Sequence, residues 1–168
     1  HGNEINAPWL FSQLENNHDS LDEYNLKVFK IIGNPESLKA CKRYLDFDLN
    51  RSFLNEFIFK PSPNIYEHNR AKYLLDTYGP NGNLPCKIAI DLHSTTSSMG
   101  SSLVIYGRRP ADLALASLIQ YRLGLPIYLH ELDSHQKGFL VESWQCGLVI
   151  EIGPVPQNLL SHSIVKKT

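Results

Sequence analysis

The sequence predicts a three-layer α/β fold, in which a mixed, mostly parallel sheet is flanked by helices. Two observations predict it. Segments with the features of strands alternate along the chain with segments that have the features of helices. The late strand segments, such as residues 103–106 and 148–152, are continuous apolar runs, which are typical of strands buried on both faces. The 168 residues contain no repeat and no clear linker, so we expect one domain over residues 1–168.

Local signals define the elements of the first half. Pro8 lies near the first turn of a predicted helix, and Leu26 and Val28 share one face of a predicted strand. Gly33, Asn34 and Pro35 end that strand. The predicted order is a helix that begins at residues 6–14, a strand at 25–32, a short helical segment at 36–44 and an irregular segment at 46–53.

The second half follows the same alternation. Gly79 and Pro80 end one predicted helix, and Gly124 lies just past the end of another. The predicted elements are, in order, a helix at 65–78, strands at 87–92 and 103–106, a helix at 110–123, strands at 127–129 and 148–152, and a final helix at 156–165.

Composition excludes several classes of protein. Hydrophobic residues make up 42% and charged residues 20%, which is ordinary for a globular protein. A net charge of −1 gives no electrostatic reason to expect nucleic-acid or membrane binding, and no apolar run approaches the roughly 20 residues of a membrane-spanning helix. Cys41, Cys86 and Cys146 are odd in number and widely spaced, which indicates free thiols in a reducing, cytoplasmic compartment.

The first four residues contain a pair of metal-ligand side chains. His1 and Glu4 are separated by two residues, and imidazole nitrogen and carboxylate oxygen are both zinc ligands. A catalytic zinc site needs a third protein ligand, and His93 follows a predicted strand at the edge where such sheets bind ligands. Taken alone, His93 is also compatible with a satisfied histidine at a strand end. Asp91 either orients that histidine or caps the following turn.

Two further groups of residues carry chemistry. Glu151 is a lone carboxylate among aliphatic residues, where burial raises a carboxyl pKa into the range of a general acid or base. The alternative is a strand-end glutamate that faces solvent. Arg43, Asn50 and Arg51 offer donors suited to an anionic substrate, although an irregular surface loop held by its own Arg–Asp pairs has the same composition.

Together these motifs resemble the aspartoacylase and succinylglutamate desuccinylase family, and its aspartoacylase branch is the most similar. The resemblance implies a zinc-carboxypeptidase-like fold, with a strand before His1 and a smaller β-rich domain after Thr168, neither of which lies in the 168 residues. The motifs are His1-Gly2-Asn3-Glu4, Asn34-Pro35, Arg43-Tyr44, Asp48-Leu49-Asn50-Arg51, Asp91-Leu92-His93 followed by Thr95-Thr96 and Met99-Gly100, and Glu151-Ile152-Gly153-Pro154 with Pro156-Gln157.

The resemblance also implies an activity, the hydrolysis of an N-acyl amino acid such as N-acetyl-L-aspartate to acetate and L-aspartate. One Zn²⁺ per subunit would lower the pKa of a bound water and polarise the amide carbonyl. The implied roles are metal ligation by His1, Glu4 and His93, activation of water and protonation of the leaving amine by Glu151, polarisation of the scissile carbonyl by Arg43, and binding of the substrate carboxylate by Asn50 and Arg51.

The sequence departs from this family in one stretch. Aspartoacylases carry a Tyr and an Arg about ten residues before the catalytic glutamate, whereas residues 137–143 contain neither and add the negative charge of Glu142. We therefore expect weaker selectivity for N-acetyl-aspartate. A desuccinylase, a carboxypeptidase-like hydrolase and a non-catalytic metal-binding protein stay open as alternatives, although the presence of both Glu4 and Glu151 argues against the last. The sequence leaves a homo-oligomer open.

Overall fold

Four strands of the part of the chain that the structure describes form an open, mixed sheet. The computed structural model describes residues 1–16, 26–131 and 136–165. Strand β4 pairs with β1 in parallel and with β2 in antiparallel orientation, while β2 and β3 are parallel. Two of the three pairings are parallel, which confirms the predicted fold class. The sheet order is β1-β4-β2-β3, with β1 at Ile88–Ser94, β2 at Ser102–Tyr106, β3 at Ile127–His130 and β4 at Cys146–Ile152.

Helices cover both faces of this sheet. Pro35 begins one of them, where the Asn34 side chain accepts a hydrogen bond from the backbone of Ser37, and Gly124 ends another with φ +67°. No helix among the described residues is long and apolar enough to cross a membrane. The α-helices are α1 (Asn6–Asn16), α2 (Pro35–Lys39), α3 (Asn55–Phe59), α4 (Tyr66–Tyr78), α5 (Pro110–Leu123) and α6 (His162–Val165), and Leu49–Arg51 and Leu140–Ser143 form two 3₁₀ helices.

Two apolar cores lie on opposite faces of the sheet. Ala89 and Leu92 of β1 point to opposite faces and pack against different cores. The first core joins β4 to α5 and α6, and its fully buried members include Leu148 and Ile152. The second core joins the sheet to α4 through Leu74 and other residues. Because β4 is covered on both sides, its sequence is an almost continuous apolar run.

The prediction of a strand at residues 25–32 is wrong, because residues 26–32 form no strand. Residue 25 lies outside the described residues. Leu26 and Val28 are exposed, so their alternation does not mark a buried face. The segment is held by a side chain of α4 instead of a strand ladder. The guanidinium of Arg70 donates to the carbonyl oxygens of Ile32 and Gly33 at 2.7 Å each.

Other elements also differ from the prediction. The short helix expected at 36–44 ends at Lys39, the segment predicted as irregular contains a 3₁₀ turn, and α3 was not predicted. The final helix is confined to α6 because the residues before it bond to the start of the chain. Asn158 donates its backbone N–H to the Asn3 carbonyl at 2.9 Å, and the Asn6 side chain bonds to Leu159 and Ser161.

Candidate metal centre

A tight turn at the start of the chain places the first two candidate ligands. The Glu4 backbone N–H donates to the His1 carbonyl at 3.2 Å, and the Gly2 N–H donates to the Arg43 carbonyl at 3.2 Å. Gly2 lies against the backbone of α2, where a Cβ atom would be only 2.1 Å from the carbonyl carbon of Ser37. Glycine is therefore required at this position for the turn to pack on α2.

The structure brings the three predicted ligands together. Ligand atoms of His1, Glu4 and His93 all lie within 4.8 Å of one another, and they form the one such group of His, Cys, Asp and Glu side chains found in the described part of the chain. Glu4 lies between the histidines: Oε2 is 2.9 Å from His93 Nδ1, and Oε1 contacts His1 Nδ1. The Ser94 N–H also donates to Glu4 Oε2 at 2.8 Å, which fixes the carboxylate at the end of β1.

A carboxylate lies beside the outer nitrogen of each histidine. Asp91 Oδ2 is 2.9 Å from His93 Nε2, and Asp48 Oδ1 is 3.2 Å from His1 Nε2. Because each outer nitrogen holds its N–H toward a carboxylate, Nδ1, which faces Glu4, is the nitrogen that would give up its proton to bind a metal. Asp91 thus contacts His93 directly, as expected if its role is to orient that histidine. Asp48 was missed as a site residue, and the only signal for it was its position beside the candidate substrate-binding residues.

The charges of Glu4, Asp91 and His93 depend strongly on one another. Burial disfavours a positive charge on His93, but the carboxylates of Asp91 and Glu4 outweigh burial and raise the pKa of His93 to about 10. Burial acts in the opposite direction on Glu4 and Asp91, yet the positive charge of His93 leaves the pKa of both carboxyls below its usual value. The three groups together hold a positive charge between two negative ones, a place that also suits a divalent cation.

Glu151 lies on the strand next to the third ligand. Its Cα pairs with that of His93 across the parallel strands β4 and β1, and its side chain is half-buried. Burial raises the pKa of Glu151; the positive charge of His93 opposes this shift, and the negative charges of Glu4 and Asp91 add to it. Among the described residues, no hydrogen bond occupies the Glu151 carboxylate. It is available for proton transfer.

The predicted substrate-binding residues fall in three environments. Arg43 is partly exposed and donates from Nε and Nη2 to Asp48 Oδ2, at 3.2 and 2.9 Å. Asn50 is buried, with its amide nitrogen 3.1 Å from Asp91 Oδ2 and its amide oxygen accepting from the Leu140 N–H at 2.9 Å. The guanidinium carbon of Arg51 lies 4.1 Å from the centre of the Phe139 ring.

Residues 137–143, which lack the Tyr and Arg of aspartoacylases, provide an aromatic ring that contacts Arg51. Phe139 has Arg51 over its ring and the Tyr106 ring stacked against it, with centroids 4.0 Å apart. Glu142 does not face an open cavity as a free charge, because its carboxylate accepts hydrogen bonds from the N–H groups of Gly138 and Phe139 at 3.0 Å each.

Fold and site together define the class: a mixed α/β domain that gathers two histidines and a glutamate at the end of its parallel strands. The family model for the succinylglutamate desuccinylase/aspartoacylase catalytic domain matches residues 1–168, and the chain belongs to this family. This confirms the resemblance found in the motifs.

Comparison with known proteins places the chain within the family. It is 61% identical over 168 residues to a probable aspartoacylase of Prochlorococcus marinus, covering 100% of this chain and 55% of that protein. A probable aspartoacylase of a Synechococcus species is 60% identical with the same coverage. The chain thus spans about half the length of the curated relatives it matches.

Solved structures share the architecture. Murine aminoacylase 3 superposes with a TM-score of 0.85 at 29% identity, over 99% of this chain and 57% of that one. The succinylglutamate desuccinylase of Vibrio parahaemolyticus superposes with a TM-score of 0.70 at 20% identity, over 99% and 52% of the two chains, and shows the shared fold.

Proposed function

We propose that this chain carries the metal centre and the proton-transfer group of a zinc-dependent hydrolase that cleaves the amide bond of N-acyl amino acids, N-acetyl-L-aspartate among them. The observation that supports it most is that His1 and Glu4 meet His93 at the end of β1, while Glu151 lies on the adjacent strand β4 as the Cα partner of His93. The similarity to probable aspartoacylases, at 61% identity, favours this substrate class over succinylglutamate, since the desuccinylase match at 20% identity reflects the fold alone.

The donor set fits zinc. Two imidazole nitrogens and one carboxylate oxygen are the ligands of a common type of catalytic zinc site, which leaves a further position open. Carboxylates beside both outer imidazole nitrogens favour the tautomer in which Nδ1 binds the metal. His1, Glu4 and His93 would hold one ion per subunit, and zinc bound there supplies Lewis acidity and acidifies water.

Glu151 is proposed as the proton carrier. A carboxylate with a raised pKa accepts a proton from the attacking water more readily than an ordinary glutamate does, and the carboxylic acid so formed keeps the proton until it passes to the leaving amine nitrogen. Both transfers use the same oxygen atoms, so one residue serves as base and then as acid. The free amino acid leaves as a protonated amine and the acyl group as a carboxylate.

The cationic residues are proposed to position the substrate. Arg43 uses Nε and Nη2 to bind Asp48, which leaves Nη1 for the scissile carbonyl oxygen. Arg51 forms no ion pair with an acidic side chain among the described residues, so its guanidinium is available for the substrate carboxylate. Asn50 binds Asp91 and thereby also steadies His93, in addition to any contact with substrate.

The test is hydrolysis by the full-length protein. Release of free amino acid from a panel of N-acyl amino acids is measured with and without a chelator, and chelation should abolish turnover until zinc is restored. Glu151→Gln should retain zinc while kcat falls about 10²–10⁴-fold, the usual contribution of general acid–base catalysis. Glu36→Gln, on an exposed glutamate of α2, is the matched control. Near-normal turnover of Glu151→Gln, or full turnover without metal, would contradict the proposal.

A further inference from the structure

A second buried carboxylate lies outside the ligand cluster. Glu67, in the first turn of α4, is fully buried, and no cationic side chain forms an ion pair with it among the described residues. Four donors satisfy its two oxygens. Oε1 accepts from the Asn34 amide at 3.0 Å and the Leu45 N–H at 2.7 Å, and Oε2 accepts from the Asp46 and Phe47 N–H groups at 3.1 Å each. All of these partners lie in other parts of the chain.

The backbone bound by Glu67 leads directly to the candidate metal centre. Residues 45–47 precede Asp48, whose Oδ1 contacts His1 Nε2 at 3.2 Å and whose Oδ2 accepts from Arg43 Nη2 at 2.9 Å. One aspartate therefore connects a candidate metal ligand to the arginine proposed to polarise the substrate carbonyl. Its position depends on the path of residues 45–47, which Glu67 fixes through three backbone hydrogen bonds.

The fourth donor, Asn34, connects Glu67 to the other side of the turn that carries His1 and Glu4. Asn34 gives its amide N–H to Glu67, and its amide oxygen accepts from the Ser37 N–H to cap α2. The backbone of α2 is the surface against which Gly2 packs, beside His1. Glu67 thus binds both elements that border the first ligand, the loop before Asp48 and the start of α2.

We propose that Glu67 is a positioning residue of the metal centre, which acts on His1 and Arg43 through Asp48 and through the Asn34 cap of α2. A carboxylate buried away from water is stable only if its hydrogen bonds are complete, and a network of this type has one well-defined geometry. This role of Glu67 rests on one part of the proposed function, namely that His1, Glu4 and His93 bind zinc. It does not depend on which substrate is cleaved.

Glu67→Gln is the informative substitution. The two side chains have the same shape, but all four partners of Glu67 are donors, and the amide NH₂ of glutamine would face two of them. The substitution should therefore displace residues 45–47 or the Asn34 side chain without opening a cavity. Loss of a group that orients a metal-binding histidine typically lowers metal affinity about 10–100-fold, and this is the expected effect.

The experiment measures the zinc dissociation constant of the full-length protein by chelator competition, with kcat and KM for the preferred N-acyl amino acid and the melting temperature alongside. Asp112→Asn is the matched control, because Asp112 is equally buried and accepts from the Gly147 N–H and from Arg109, neither of which belongs to residues 45–48. Glu67→Gln should weaken zinc binding and lower kcat, while Asp112→Asn should lower the melting temperature without weakening zinc binding.

A double-mutant cycle separates positioning from general stability. If Glu67 acts through Asp48, Glu67→Gln should weaken zinc binding less in an Asp48→Asn background than in the wild type. Wild-type zinc affinity in Glu67→Gln, equal losses in Asp112→Asn, or fully additive losses would each overturn the proposal. If Glu67→Gln does not fold, Asp48→Asn alone decides, and wild-type zinc affinity in that variant would overturn it. Because zinc affinity needs no substrate, a protein that binds zinc but cleaves no N-acyl amino acid would refute the proposed function and leave this test valid.

Discussion

Replacing Gly2 by alanine should disrupt the proposed metal centre more than its single added methyl group suggests. The new Cβ would lie 2.1 Å from the Ser37 carbonyl carbon and 2.4 Å from the Leu38 nitrogen, which is 1.3 and 1.0 Å short of an ordinary contact of 3.4 Å. Both clashes are with backbone, so no side chain can rotate away. The turn that carries His1 and Glu4 must move by about 1 Å, whereas metal–ligand distances tolerate about 0.2 Å.

The expected losses follow from that displacement. Overpacking of this kind costs about 1–3 kcal/mol of stability. Misplacing reacting groups by about 1 Å costs about 10²-fold in rate. We therefore expect Gly2→Ala in the full-length protein to lose most of its zinc at micromolar metal and to fall about 10²-fold in kcat/KM. Zinc content, turnover and thermal unfolding measured on the same preparation test this.

Gly33→Ala is the control. A Cβ at Gly33 would lie 3.6 Å from the Leu49 Cδ2 atom, an ordinary contact, so the same chemical change should leave zinc content and turnover near wild type. The reasoning would be refuted by a Gly2→Ala protein that binds zinc and turns over normally. It would also be refuted if both variants lost zinc to the same extent.

Two other predictions concern Glu151 and Arg51. The pKa of Glu151 is raised in the folded state, so its charged form is less favourable in the folded protein than in the unfolded chain. The folded protein therefore loses stability as pH rises through that pKa. Urea unfolding in chelator should therefore show Glu151→Gln equal to wild type near about pH 4 and increasingly more stable toward about pH 8, and a difference independent of pH would contradict this. Phe139→Leu removes a cation–π contact with Arg51 worth about 0.5–2 kcal/mol, so steady-state kinetics should show a higher KM with little change in kcat. Phe139→Tyr keeps an aromatic ring and should have a KM near that of the wild type. If its KM were as high as that of Phe139→Leu, the ring would not be what positions Arg51.

The parts of the fold predicted from sequence were those set by local pattern. The apolar run that became β4 was recognisable because both of its faces are buried, and α5 was delimited by Pro110 and Gly124. His93 and Glu151 were recognisable because each is a polar residue at the end of an apolar strand. The structure adds that they are Cα partners on neighbouring strands, which the sequence alone does not specify.

The parts that sequence reasoning missed depend on contacts between distant residues. The segment 26–32 has a strand-like alternation, but no strand pairs with it among the described residues. Arg70 binds the carbonyl groups of Ile32 and Gly33 instead, across 38 and 37 positions of sequence. Glu67 lies in the helix predicted at 65–78, and nothing in its sequence neighbours indicates the four donors that converge on it. No periodic pattern encodes such contacts.

The distribution of buried charge explains why the site needs this supporting structure. Glu4 and Asp91 lie with Glu151 around His93, and burial makes their negative charges costly unless a cation is present. A divalent cation would replace the positive charge that His93 holds between Glu4 and Asp91, so that charge alone cannot keep these side chains in place. The fold instead fixes them from outside, with backbone N–H groups on Glu4 and Glu67 and with Asp48 shared between His1 and Arg43. Part of the rigidity therefore comes from uncharged backbone donors and part from the Arg43–Asp48 ion pair, and both leave the charge of Glu4 available to the proposed metal ion.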